Sequence, residues 1–327
     1  MYRRGVVTRE LGGSGVDVTR VALGCGNFGG IGSAPAFFGQ GESRGEAFAV
    51  MDAAWELGIR LFDTAASYGG GRSEQWIGEW LAQRGLRPII ETKVFHSVTG
   101  DAADKGLAPE RIRRELAGSL GRLGLERVEL YLVHEPDPDT PLELTLRTLD
   151  ELVREGKVGA IGASNVDADY LDRALALSDA EGLARFQWVQ NSYSLLERGD
   201  ALDVLPLCER EGLGFTPFGP LAGGWLTGKY RRGAELPQGS RMTLRPGPYE
   251  RFLDDRTFDA LEAFEAAARE RGVDMAALAL AWLLADERVT SVIVGPRRPE
   301  HLEPAAAALD LRLTPTERDA LTALFGD

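Results

Sequence analysis

VELYLVHEPDPDTPLELTLRTLDELVREGKVGAIGAS, residues 128–164, reads as one complete strand–helix–strand unit. It opens on VELYLVH at 128–134, an apolar run suited to a pleated, buried surface, which stops before prolines that cannot continue a strand. From 141 to 156, PLELTLRTLDELVREG repeats apolar residues at three- and four-residue spacing and closes on Gly156, as a helix C-cap does. VGAIGAS at 158–164 is the second apolar run. The chain between the runs is enough for one crossover helix, and a right-handed crossover lays the two strands parallel.

The same unit recurs in both directions. Upstream lie VALG at 21–24, RLFD at 60–63 and PIIETK at 88–93; downstream lie FQWVQN at 186–191, GLGFTPF at 212–218 and VTSVIVG at 289–295. Each is a short buried-type run bounded by Gly, Pro or a polar residue, which is how strands covered on both faces read. Helix-like stretches such as 43–58 and 109–124 separate them, and eight strands with one crossover helix each close a barrel. The expected fold is therefore α/β: a (β/α)₈ TIM barrel forming a single domain over residues 1–327. LGGSGVDVTR at 11–20 predicts an N-terminal β-hairpin on the barrel floor, and patterns near 256–271 and 274–285 predict C-terminal extra helices. The segment 230–252 between them reads as a lid or substrate loop.

Charge and cysteine content narrow the function classes. With 37 basic against 50 acidic residues and a formal charge of −13, the mean field repels polyanions, so nucleic acid and anionic membrane are not expected partners. Cys25 and Cys208 stand in no CxxC or Cys/His spacing, so neither a metal site nor a disulfide framework is expected. MYRRGVVTRELGGSG at the start is basic without the apolar stretch of a signal peptide, and nowhere do 18 uncharged apolar residues run together. A cytoplasmic protein in a reducing compartment is expected.

In this architecture the carboxyl ends of the strands converge on one mouth. Those ends supply Asp63, with Tyr68 five residues on, then Lys93, His134, Ser164, Asn165 and Gln190. Singly they are ordinary: Asp63 could cap a turn, His134 could be a satisfied structural histidine, and Tyr68 alone means little. A carboxylate, a phenol, an ammonium and an imidazole on successive tips form a proton-transfer set. Hydride delivery to a carbonyl builds alkoxide charge that must be stabilised and protonated. A phenol beside an ammonium is a suitable acid, because the ammonium favours the phenolate and is expected to lower the phenol from its ordinary value. A neutral imidazole can hydrogen-bond the carbonyl oxygen.

FDTAASYGGGRSEQWIGEWL, ETKV, LYLVHEPDP, GASN, VQNSYSLLER and PLAGGWLTGKY, in that order, resemble the motifs of the aldo-keto reductase family over nearly the whole chain. The resemblance implies reduction of an aldehyde or ketone with NADPH bound extended, by a catalytic set matching Asp63, Tyr68, Lys93 and His134, with Tyr68 as general acid. It implies that Ser164, Asn165 and Gln190 hold the nicotinamide carboxamide and that Phe218 stacks on the ring, where tyrosine is usual. Gly219, Leu221, Gly223 and Lys229 match the stretch lining the pyrophosphate, and Gly295, Arg297 and His301 the segment gripping the adenosine phosphate. Arg297 and Arg298 favour a 2′-phosphate, since guanidinium groups pair bidentately with phosphate oxygens. The chain departs from the family where a Glu-Asn pair commonly meets the adenine: Pro304 and Ala305 stand there.

Gly24 to Gly29 satisfies GxGxxG after a strand, but GGIGSAPAFFGQGES follows where a dinucleotide-binding unit requires a helix. The segment is read instead as a strand tip, with Gly26 and Asn27 near the nicotinamide and Phe28 bordering the substrate pocket together with Tyr68, His134 and Trp225. Two other readings compete. Barrels resembling potassium-channel β subunits bind the cofactor but act as regulatory subunits, and a barrel aldolase or hydrolase would use Lys93 as a Schiff-base amine. Phe37, Phe38, Phe95, His96 and the 230–252 loop shape a pocket whose substrate, beyond a small-molecule carbonyl, follows no readable code, and the oligomeric state is open.

Overall fold

The computed structural model describes residues 7–101 and 103–326, so the basic segment 1–6 and the last residue of the expected domain lie outside the described residues. A two-stranded antiparallel hairpin, β1 (Thr8–Glu10) and β2 (Asp17–Thr19), precedes a parallel sheet. The sheet comprises β3 (Val21–Gly24), β4 (Leu61–Asp63), β5 (Ile89–Val94), β6 (Val128–Val133), β7 (Val158–Ser164), β8 (Phe186–Gln190), β9 (Gly214–Phe215) and β10 (Val292–Val294). Neighbours follow chain order from β3 to β9, with β10 against β3. The ring closes between β9 and β10, where Thr290 N–H donates to the Phe215 carbonyl (2.8 Å) and Ile293 N–H to that of Pro217 (3.0 Å). The molecule is thus a closed (β/α)₈ barrel.

Helices α1 (Arg44–Glu56), α2 (Arg72–Arg84), α3 (Pro109–Leu123), α4 (Leu142–Arg154), α5 (Ala168–Glu181) and α6 (Val204–Glu211) fill the crossovers. The long interval after β9 holds the short α7 (Arg241–Leu244), then α8 (Asp255–Glu270) and α9 (Met275–Leu284); α10 (Glu303–Asp310) and α11 (Pro315–Ala323) follow the last strand. α1 starts where Ser43 and Glu46 satisfy each other's backbone N–H groups, and α3 and α5 stop at the left-handed Gly124 and Gly182.

Inside the barrel Ala22, Leu61, Leu130, Leu132, Ala160, Trp188 and Ile293 pack together with Leu11 and Val18 of the hairpin, which plugs the floor. The hairpin begins earlier than expected: β1 lies ahead of the 11–20 stretch, which holds only the turn and β2. All three β1 residues are exposed, so no apolar alternation announces that strand. β9 is shorter than the GLGFTPF run because Pro217 has no N–H to offer the ladder. No described helix is long and apolar enough to cross a membrane.

Candidate active site

β5 alternates in the usual way, so Ile90 and Val94 pack outward against the helices while Glu91 and Lys93 face the barrel interior. Lys93 is 1 % exposed, yet its ammonium is fully engaged. It donates to Asp63 Oδ1, the last residue of β4, to the Thr64 carbonyl at 2.8 Å and to Tyr68 Oη at 3.3 Å. Tyr68 is presented by a single turn, Tyr68–Gly71, in which Gly69, Gly70 and Gly71 all have positive φ. A Cβ on Gly69 would lie 2.5 Å from the Phe28 carbonyl oxygen, so the glycine run lets the chain reverse here before α2 begins.

Burial works against the Lys93 charge, but Asp63 holds the ammonium above the ordinary lysine range. Burial pushes the Tyr68 phenol up to about 12, against the opposing pull of Lys93. The sequence led us to expect a lowered phenol. The ammonium acts in that direction, but loss of water around the phenolate outweighs it. The phenol is therefore protonated at neutral pH. His134 continues β6, its N–H donating to the Val94 carbonyl at 2.9 Å, and its ring meets that of Tyr68 edge-on with centroids 5.6 Å apart. Burial, then Lys93 and His96, depress it well below the ordinary histidine range, so it is neutral, and its Nδ1 has no hydrogen-bond partner among the described residues.

A cavity of about 970 Å³ opens beside this cluster. Asp63, Tyr68 and Gln190 form one end of its wall, with Gly26 and Asn27 after β3. Phe218, Gly219, Leu221, Gly223 and Lys229 run along one side, and Gly295, Arg297 and His301 close the other. Lys93 stands behind Asp63 and Tyr68, and His134 stands beside them. Ser164 and Asn165 do not reach the cavity wall. Ser164 Oγ donates to the Gln190 carbonyl (2.6 Å) and Asn165 Nδ2 to that of His134 (2.9 Å), tying the strand tips together. Asn165 adopts a positive φ to do so.

Two residues expected to border the substrate pocket do not line this cavity. Phe28 and Trp225 are both fully buried and absent from the cavity wall. Phe28 joins the core outside the barrel. Trp225 packs against Tyr230, Phe252 and Phe258, because the Gly223–Gly224 turn directs it toward α8.

Cations collect along the cavity wall. Lys229 and Arg245 have no ion-pair partner among the described residues, and Arg241 donates to Asn27 Oδ1. Arg297 pairs with the buried Glu42 and donates to the Gly239 carbonyl at 2.7 Å; its N–H donates to His301 Nδ1 at 3.2 Å. Arg298 pairs with Glu300 (3.0 Å) on an exposed turn. Sequence reasoning missed Arg241, Arg245 and Glu91. The two arginines lie in the flagged 230–252 loop, where no spacing distinguishes them, whereas an acid inside the PIIETK strand was a readable signal. Among the described residues no cluster of His, Cys, Asp and Glu could hold a metal ion.

Comparison with known proteins agrees with this arrangement. The chain matches the model described as the Aldo/keto reductase family over residues 21–325. It is 36 % identical over 314 residues to an uncharacterized oxidoreductase of Bacillus subtilis, covering 93 % of this chain and 91 % of that protein. It is 32 % identical over 312 residues to an NADH-specific methylglyoxal reductase of Escherichia coli, with 91 % and 92 % covered. Its identity to a probable voltage-gated potassium channel subunit beta of Oryza sativa subsp. japonica is also 32 %, over 324 residues, with 97 % and 95 % covered. A closed barrel, a lysine bridging an acid and a phenol at its mouth, and a match from the first barrel strand to the last helix lead to one assignment: this chain belongs to the aldo/keto reductase family and is an NAD(P)H-dependent oxidoreductase.

Proposed function

We propose that the protein reduces an aldehyde or ketone to the alcohol with NADPH, and that Tyr68 is the general acid. The observation that carries the reading is the Lys93 ammonium joined to both Asp63 and the Tyr68 hydroxyl at the wall of a large cavity. The residues present fit a phosphorylated dinucleotide: Lys229 and Arg245 are cations without ion-pair partners among the described residues, and Gly219 and Gly223 allow close backbone approach. Phe218 would stack on the nicotinamide, Gln190 would meet the carboxamide, Ser164 and Asn165 would hold the tips around it, and Gly26, Asn27, Leu221 and Gly295 would border the chain of the cofactor. Lys229, Arg297 and His301 would face the adenosine phosphate. When bound, NADPH supplies the hydride that reaches the carbonyl carbon.

The chain's own residues then handle the proton. Tyr68 Oη gives its proton to the oxygen as alkoxide charge develops, and the phenolate that remains is stabilised by Lys93, which Asp63 keeps charged. Neutral His134 beside Tyr68 donates a hydrogen bond to the same oxygen without competing as an acid. A lysine held above its ordinary range is a poor Schiff-base nucleophile, which speaks against the aldolase reading. Preference for NADPH rests on Arg297, Arg298 and Lys229. Glu42 and Glu300 already hold the two arginines, which limits the advantage to about tenfold, near 1.4 kcal/mol. The free, buried Cys25 and Cys208 suit the cytoplasm, and the whole chain, 1–327, acts as one domain.

A cofactor-binding regulatory role is the second reading, since a relative of comparable identity is named as a channel subunit. Following NADPH absorbance with a panel of sugar, aromatic and aliphatic carbonyl compounds separates the two. Turnover of at least one class is expected, whereas tight NADPH binding without oxidation by any carbonyl would favour the regulatory role.

A further inference from the structure

Glu91 is an ionisable residue of the barrel interior that the proposed reaction leaves without a role. It is 0 % exposed. Its strand partners are Asp63 across the β4–β5 ladder and the apolar Leu130 across the β5–β6 ladder. From β8, Gln190 reaches over and donates through Nε2 to Asp63 Oδ1 (3.2 Å) and to Glu91 Oε1, so one amide bridges two carboxyls. The titratable groups facing Glu91 are Asp63, Lys93 and, more weakly, Tyr68. The Lys93 ammonium spends its three hydrogen bonds on Asp63, Thr64 and Tyr68 and makes none to Glu91.

Two buried carboxyls thus share one cation, and that cation is bonded to only one of them. If both ionised, a second negative charge would sit without water or a partner, a far costlier state than binding a proton. Glu91 Oε2 supports the same conclusion. Among the described residues it is buried with no donor to meet it, and Asp63 stands opposite Glu91 on the neighbouring strand. A proton on Oε2 removes the charge that has no partner there. Burial, then Asp63, pushes the Glu91 carboxyl well above the usual carboxylate range.

We propose that Glu91 is a permanently protonated carboxylic acid that serves as a positioning residue, fixing Asp63 as the lone carboxylate on Lys93 and orienting Gln190 toward the nicotinamide carboxamide. With both Gln190 amide hydrogens directed at carboxyls, its side-chain oxygen is the group left to accept from the carboxamide. The role given to Gln190 rests on the NADPH reading; the protonation of Glu91 does not.

The test uses the intact chain and two variants. Infrared difference spectra of the cofactor-free protein, wild type against Glu91→Gln at neutral pH, should show a protonated-carboxyl carbonyl stretch lost in the variant. Loss of ionised-carboxylate bands alone would overturn the proposal. Glu91→Gln keeps the shape and a donor for Asp63, so NADPH affinity, turnover and pH profile should stay within about twofold. A shifted pH profile or a tenfold loss of turnover would mean that Glu91 works as a charge, and would overturn it. Glu91→Leu removes the acceptor for Gln190 and should weaken NADPH binding by about tenfold. Unchanged NADPH affinity in a folded Glu91→Leu protein contradicts the positioning role. Should wild type bind no NADPH at all, the cofactor reading fails while the infrared result still decides the state of Glu91.

Discussion

The floor and the mouth of the barrel are built by the same strands, two residues apart. On β4 the inward residues are Leu61 and then Asp63; on β5, Glu91 and Lys93 follow Ile89; on β8, Gln190 follows Trp188. One step of the strand period turns an apolar plug into a buried network of two carboxyls, an ammonium and an amide. The lower layer is closed by Leu11 and Val18 from the hairpin, needs no partner and can be changed only at the cost of packing. The upper layer consists of groups that are tolerable only because each holds another. It is there that the cavity opens. Stability and chemistry are thus separated along the barrel axis by a few ångströms of strand, and substitutions in the two layers should fail in different ways.

Removing the mouth's cation should have the largest effect. Lys93→Met leaves Asp63 buried beside Glu91 with no countercharge, and is expected to cost about 3–5 kcal/mol of stability together with nearly all reductase turnover, checked by denaturant unfolding and NADPH oxidation. On the floor, Leu61→Ala should cost about 2–5 kcal/mol in the same unfolding experiment, while kcat per folded molecule stays close to wild type. A large kcat loss there would break the distinction between layers. On the cavity wall, Arg297→Ala should reduce the preference for NADPH over NADH about threefold in a fluorescence titration, equivalent to about 0.6 kcal/mol. The smallest effect is expected for Trp225→Phe. Because Trp225 packs toward α8 and not on the cavity, it should change the thermal midpoint by a few degrees and leave carbonyl KM within about twofold.

Much of this contrast is legible in the sequence, and the illegible parts have physical causes. Apolar runs ending in Asp63, Lys93, His134 and Gln190 announce both the strands and the tips, because a barrel strand must be covered on both faces until it leaves the sheet. β1 escapes because Thr8, Arg9 and Glu10 are all exposed and need no apolar pattern. Phe28 and Trp225 lie in loops, where glycine dihedrals and not periodicity set the direction of a side chain. Arg297 and Glu42 meet across 255 positions of chain, a pairing no local pattern records. The height of the phenol's pKa is equally hidden, since it depends on how much water surrounds Tyr68 and not on which residues neighbour it in sequence.

The protonation states make a further prediction about pH. Reduction needs the Tyr68 proton, which is present below its pKa of about 12 and lost above it, and His134 is neutral throughout because its own pKa is depressed. Reductive kcat/KM should therefore be flat from about pH 6 to about pH 9 and decline only in stronger alkali.

In the proposed reaction the Tyr68 hydroxyl, held by Lys93, delivers the proton. The decisive experiment is a single-turnover measurement of hydride transfer in Tyr68→Phe, with NADPH saturating and its affinity measured alongside. A rate at least about a hundredfold slower with NADPH affinity preserved is expected; a rate equal to wild type would mean that Tyr68 is not the acid.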